Sequence, residues 1–196
     1  MALEKVPVNQ PLALDFSKAR PFKGIVIHHS ATPDGKAYEW DAIRKYHMSW
    51  RYEDEAITEA QAKVLIAKKV EGVIPPFRAI GYHAGIELAG DSYVYCVGRT
   101  LRDAGAAAKG FNDTHVQICL VGSYDASSPT VMQIDLLKKL IRFLMTNIKT
   151  IKEDEIIGHW ETFIKLGLVK TKEEAWAKKK TCPGKSFPLE SLRLEI

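Results

Sequence analysis

The chain has 196 residues, 46% of them apolar and 27% charged, enough to bury roughly 70% of the surface that its unfolded form would expose. That excludes a disordered chain and favours one soluble domain with elaborations over two complete ones. Lys and Arg number 28 against 24 Asp and Glu, a net charge of +4; this tolerates an acidic polymer as partner but lacks the dense basic stretches of a dedicated nucleic-acid binder. No apolar run approaches the ~20 residues that cross a bilayer, and the start Met1-Ala2-Leu3-Glu4-Lys5-Val6-Pro7 has no basic region followed by an apolar stretch. Synthesis and retention in a cytoplasm, without an export signal, is the expectation. Three cysteines, Cys96, Cys119 and Cys182, cannot all pair within the chain, so no disulfide framework is expected.

The first ~20 residues hold two prolines and no sustained period, which predicts an arm over residues 1–21 lying along the surface of a domain spanning 22–196. Gly24-Ile25-Val26-Ile27 is a β-branched run followed at once by His28-His29-Ser30, a buried strand whose C-terminal end presents polar groups. Asp34-Gly35 supplies a turn, and Trp40, Ile43, Tyr46/His47 and Trp50 recur at helical spacing, predicting a helix near 39–49. Thr58-x-x-Gln61 has the form of a capping box, and Ala60, Val64, Leu65 and Ala67 suit an amphipathic helix that ends before Gly72 and Pro75-Pro76. From Tyr82 to Leu88 the residues alternate, with Tyr82, Ala84, Ile86 and Leu88 on one face and His83 and Glu87 on the other. Gly90-Asp91-Ser92 then turns the chain into Tyr93–Val97, a hairpin partner.

After a loop at 103–114, Val116–Val121 forms another apolar strand. Ser128 as N-cap and Pro129 at the first helical position open a long helix, carrying Leu137, Leu140, Ile141, Leu144 and Ile148 on one stripe. Ile156-Ile157-Gly158-His159 reads as a last short strand ending in a histidine, and Thr171-x-x-Glu174 caps a small charged helix before Lys180-Thr181-Cys182-Pro183-Gly184. Strands and helices interleave around a central hairpin, so the class is α/β: one domain with a central mixed β-sheet flanked by helices.

His28 and His159 each end a short strand, and Cys182 sits in a Pro-Gly loop from which its thiol can turn inward. Imidazole and thiolate both suit zinc, whose catalytic sites take three protein ligands and leave a fourth position to water. Three packed or solvated side chains are the competing reading, because the positions lie far apart in the chain and no dense ligand motif joins them.

The segments Ile25-Val26-Ile27-His28-His29-Ser30-Ala31-Thr32, Gly81-Tyr82-His83, Gly158-His159-Trp160-Glu161 and Lys180-Thr181-Cys182-Pro183-Gly184 occur in that order. So do Ile43-Arg44-Lys45-Tyr46-His47, Ala108-Lys109-Gly110-Phe111-Asn112 and Ile118-Cys119-Leu120-Val121-Gly122. Together, over residues 22–190, they resemble the zinc-dependent N-acetylmuramoyl-L-alanine amidases, and among these the phage lysozyme-type endolysins of the T7 kind and the peptidoglycan recognition proteins. The resemblance implies one zinc ion per chain held by His28, His159 and Cys182, with His29 packing or hydrogen-bonding nearby. It implies Tyr82 as the catalytic tyrosine and Lys180 as a positive charge beside the developing oxyanion. Asn112 and Lys109 would lie beside a peptide groove, with Trp50 or Tyr46 stacking on substrate.

The implied reaction is hydrolysis of the amide between N-acetylmuramic acid and the first L-alanine of the stem peptide, with peptidoglycan or muropeptides as partner, no nucleic acid, and a monomer acting on the wall after release. Glu161 is a possible supporting residue outside the catalytic set. The chain departs from the phage pattern at Ala107, where those enzymes carry histidine, and in two additions, a helix and loop at about 51–76 and a long excursion between His159 and Cys182. Two alternatives within the resemblance are a non-catalytic recognition protein, whose members typically lose the cysteine, and a cytoplasmic recycling amidase for anhydro-muropeptides, which usually carries aspartate and glutamate where this chain has Cys182 and Tyr82. A zinc-stabilised interaction domain with His83 or His115 as fourth ligand is a third. Cys96 and Cys119, inside strands, read as small buried thiols.

Overall fold

The structure is a computed structural model and describes residues 5–8, 14–32 and 39–196. A six-stranded mixed sheet runs β1 (Lys5–Pro7), β6 (Ser92–Val97), β5 (Ala84–Ala89), β7 (His115–Leu120), β2 (Gly24–His29), β8 (Ile156–Gly158) in spatial order. β6 is antiparallel to both its neighbours, whereas β5, β7, β2 and β8 run parallel. The parallel half is what the interleaved helices require, since each return must cross a face of the sheet.

The two faces carry different chemistry. On one, Ile25, Ile27, Ala84, Ile86, Val116, Ile118 and Leu120 join the main core under helix α3 (Val131–Asn147), which buries Leu136, Leu137, Leu140, Ile141 and Leu144. The other holds Val26, His28, Gln117 and Cys119, and there α1 (Trp40–His47) lays Trp40 across Gly85. A Cβ at Gly85 would stand 2.2 Å from the Trp40 ring, so the glycine is the seat of the indole. Buried Glu87 anchors the same helix: its Oε2 accepts the Trp40 N–H at 2.7 Å, and its other oxygen pairs with Lys5 of β1. A carboxylate at a helix N-terminus meets unpaired N–H groups and the positive end of the helix dipole.

Several expectations change. Residues 5–7, placed by the sequence in a surface arm, pair with Val94–Cys96 as an edge strand; three residues are too short to show a period. Tyr82 does not share a face with Ala84 and Ile86. It packs with Trp40, Ile80 and Val121, because regular pleating begins only at Ala84. The long helix is capped by Thr130 rather than Ser128: Thr130 Oγ1 accepts from Gln133 N–H at 3.1 Å and Gln133 Oε1 from Thr130 N–H at 2.9 Å. That reciprocal pair satisfies two groups, while Ser128 donates instead to the Ser186 carbonyl.

The addition at 51–76 contains a hairpin that alternation did not reveal, β3 (Trp50–Tyr52) with β4 (Glu55–Ile57), before the capped helix α2 (Glu59–Ala67). Of α2 only Ala62 is buried, and Val64 and Ile66 point outward, so the expected amphipathic packing is absent. The Asp34-Gly35 turn lies outside the described residues. The helix α5 (Lys172–Ala177) is capped by Thr171 as expected, its side chain accepting from Glu174 N–H at 3.2 Å.

Replacing Gly85 by valine should lift Trp40 off the sheet and cost about 1–3 kcal/mol, read as a lower urea midpoint with the slope unchanged.

Candidate metal centre and groove

Parallel pairing of β2 with β8 sets Ile27 opposite Gly158. The residue that follows each of these is therefore a histidine at the carboxyl edge of the sheet, where open α/β sheets build their sites. His28 and His159 rings lie 4.6 Å apart between centroids. His159 is the first residue of helix α4 (His159–Lys165) rather than the last of the strand. The start of that helix is held by Glu161, whose Oε2 accepts Gly158 N–H at 2.8 Å and pairs with Arg193. Glu161, half-buried, thus supports the backbone beneath His159 through its bonds to Gly158 and Arg193.

The third group arrives from the far end of the chain. Trp160 N–H donates to the Cys182 carbonyl at 2.8 Å, and His29 N–H reaches its Sγ at 3.4 Å. Asp125 cinches the loop, its carboxylate accepting from Thr181 Oγ1 and Lys185 N–H, both at 3.1 Å. Gly184 has φ of 120° and sits against Tyr124, where a Cβ would stand 2.3 Å from the Tyr124 carbonyl; only glycine takes both that conformation and that contact. Cys182 Sγ consequently lies 3.7 Å from His28 Nδ1, and ligand atoms of His28, His159 and Cys182 all fall within 4.8 Å of one another. Nε2 of His28 meets Gln117 Oε1 at 2.8 Å.

Among the described residues no other His, Cys, Asp or Glu joins this group. His83 is engaged by Gln117 N–H and the Asp103 carbonyl, and His115 by Thr114 and Glu155. His29 faces the other way, its Nδ1 accepting Tyr124 N–H at 3.2 Å, as the packing role expected for it requires.

Burial sets the charge state. It drives His28 well below the ordinary imidazole range, aided by the neighbouring His159, and lowers His159 to about 4, aided by Lys180. Burial also pushes the Cys182 thiol up to about 12, against the opposing pull of the His29 backbone bond. Without a cation the cluster is two neutral imidazoles and a thiol, a set of lone pairs suited to a metal ion that can draw off the thiol proton. Tyr82 is buried 5.2 Å from the His28 ring between centroids. Burial, with Cys119 and Cys182 nearby, holds its hydroxyl well above 10, so it stays a hydrogen-bond donor. Lys180 is exposed, 5.5 Å from the Phe163 ring and close enough to His159 to lower its basicity.

A groove of about 760 Å³ is lined by Tyr82, His47, Ser30, Ile43, Tyr46, Asp54 and Glu55, and Tyr82, packed against the His28 ring, is its link to the cluster. Tyr46 lines it; Trp50, at the start of β3, does not. Asn112 spends its side-chain oxygen within its own loop, accepting from Ala107 and Ala108 N–H, both at 2.9 Å, and Lys109 is exposed. Sequence reasoning passed over Gln117 and Asp125. A glutamine in a strand and an aspartate in a turn carry no signal until their partners are known.

The profile of the N-acetylmuramoyl-L-alanine amidase family matches residues 18–185, most of the chain. The chain belongs to that family. Its fold is similar to that of bumblebee PGRP-SA, at 18% identity and TM-score 0.52 over 94% of this chain and 91% of that one. Apis mellifera PGRP-SA is similar at 18% identity and TM-score 0.51, over 94% and 92%. The N-acetylmuramoyl-L-alanine amidase LysC from Clostridium intestinale URNW aligns at 19% identity and TM-score 0.48, over 97% and 95%. No curated protein matches the chain by sequence. Among the described residues no helix is long and apolar enough to cross a membrane.

The buried histidines predict a pH dependence for the metal-free protein. A histidine with a depressed folded pKa contributes stability that is whole above its unfolded value near 6.5 and lost as pH falls towards 4, because the unfolded chain takes up the proton first. Thermal melts should therefore drop steeply between pH 6.5 and 4, by about 3 kcal/mol at most for each histidine held near 4.

Proposed function

We propose that the protein is a zinc-dependent amidase that hydrolyses the bond between N-acetylmuramic acid and the L-alanine of the stem peptide, acting as an endolysin on wall peptidoglycan. The observation carrying this reading is the convergence of His28, His159 and Cys182, with Tyr82 packed between His28 and a groove, in a chain of the amidase family. The donor set suits zinc. His28, His159 and Cys182 would hold it, two imidazole nitrogens and a thiol sulfur within 4.8 Å of one another, the borderline and soft donors that zinc takes.

When bound, zinc supplies Lewis acidity and brings the pKa of water down to about 7. The chain's own residues do the rest. The groove seats the stem peptide, with Tyr46 offering a face for stacking. The exposed rim at Asp54, Glu55 and Ala56 lets a peptide attached to a glycan strand enter from the side. Tyr82, a protonated donor beside His28, hydrogen-bonds the scissile carbonyl oxygen as it gains charge. Lys180 adds positive charge near that oxygen, an interaction stronger in the transition state than in the ground state. Cys182 and Tyr82 favour hydrolysis over mere recognition, because binding alone needs neither a third ligand nor a buried phenol beside it.

Mass spectrometry of purified peptidoglycan incubated with the zinc-loaded protein should find released stem peptides with a free L-alanine amine. They should be absent with His28→Ala. Intact glycopeptides in the presence of bound zinc would sink the amidase reading and leave recognition standing. Tyr82→Phe should retain zinc and lose about 10²–10³-fold in kcat with little change in KM.

A further inference from the structure

A neutral imidazole carries its proton on one nitrogen and its lone pair on the other, and an isolated ring does not fix which. We propose that Gln117 is the positioning residue that makes this choice for His28, holding the proton on Nε2 and turning the Nδ1 lone pair to face Cys182. This rests on the reading of His28 as a metal ligand.

The orientation of the Gln117 amide is decided by its surroundings. Its NH2 has two carbonyl acceptors, His115 at 3.0 Å and Phe111 at 3.3 Å. A flipped amide would set its oxygen against both carbonyls and its NH2 against His28, giving up two bonds. Oε1 therefore faces His28 Nε2 at 2.8 Å and can only accept, so Nε2 carries the proton. Gln117 is fully buried, and no bulk water can take over the role.

The surroundings are built to hold the residue. Gln117 N–H donates to His83 Nδ1 at 2.9 Å, and Gly105 clears the space above it, where a Cβ would stand 2.4 Å from Gln117 Cγ. The register explains the reach. Gln117 lies opposite Val26, two residues before His28 on the neighbouring parallel strand and on the same face, so its side chain runs forward along the sheet to the imidazole. An amide does this without placing a charge in a sealed site, whereas a carboxylate there would need a counter-charge. Groups that orient a metal-bound histidine typically change metal affinity by 10–100-fold when removed.

The test begins with the protein as it is. Histidine-selective ¹⁵N–¹H correlation spectra of the metal-free protein should assign His28 to the Nε2–H tautomer; an Nδ1–H tautomer in the unmodified chain overturns the proposal whatever the variants do. Gln117→Met keeps the volume and removes the acceptor. It should give mixed tautomers at His28 and a zinc affinity, from competition with a chromophoric chelator, 10–100-fold weaker. A folded Gln117→Met with unchanged His28 tautomer and unchanged zinc affinity would refute the role. None of these measurements uses hydrolysis: a protein that binds zinc through an oriented His28 yet cleaves nothing keeps this inference and loses the amidase reading.

Discussion

Parallel pairing across β7, β2 and β8 is the constraint on which the rest of the structure depends. Parallel strands all end at the same edge of the sheet, so whatever follows β2 and β8 is delivered to one place. The offset of Ile27 against Gly158 brings His28 and His159 abreast, and β7 on the other side of β2 places Gln117 where it can reach His28. One register fixes two imidazoles and the amide beside one of them. A slip of a single residue would turn every side chain of β2 to the opposite face and dissolve the site.

Around that edge the chain divides its labour by face. The α3 side is filled with branched apolar residues and supplies most of the hydrophobic burial. The opposite side carries Trp40 over Gly85, the buried thiols of Cys96 and Cys119, and Tyr82. These groups are apolar enough to exclude water from the histidines, which depresses their basicity and leaves them as neutral donors. Fold stability and site chemistry thus share one cause: the burial that makes the sheet cohere also prepares the imidazoles to bind a cation.

Legibility in the sequence followed the range of the interaction. The capping box at Thr58 and Gln61, the Thr171 cap and the stripe of α3 were readable because their partners lie within four residues. β1 was not, since Lys5–Pro7 is a strand only by virtue of β6. The switch of the α3 cap from Ser128 to Thr130 had the same cause, a hydroxyl drawn away by Ser186 across the fold. For α2 the pattern misled: its apolar residues suggested a buried face, yet the helix lies outside the sheet's reach and keeps Val64 and Ile66 exposed.

By itself the sequence determined the α/β class, the strands that lead to His28 and His159, and, through ordered motifs, the resemblance to an amidase family and the identity of the three candidate ligands. These depend on local pattern and residue chemistry, which the chain carries wherever it goes. Only the tertiary structure decided that the three ligand atoms meet within 4.8 Å, that Asp125 closes the loop presenting Cys182, and that Gln117 faces His28. Those facts are separations in space between residues far apart in the chain, and they exist only once strand register and loop closure have chosen one arrangement among many.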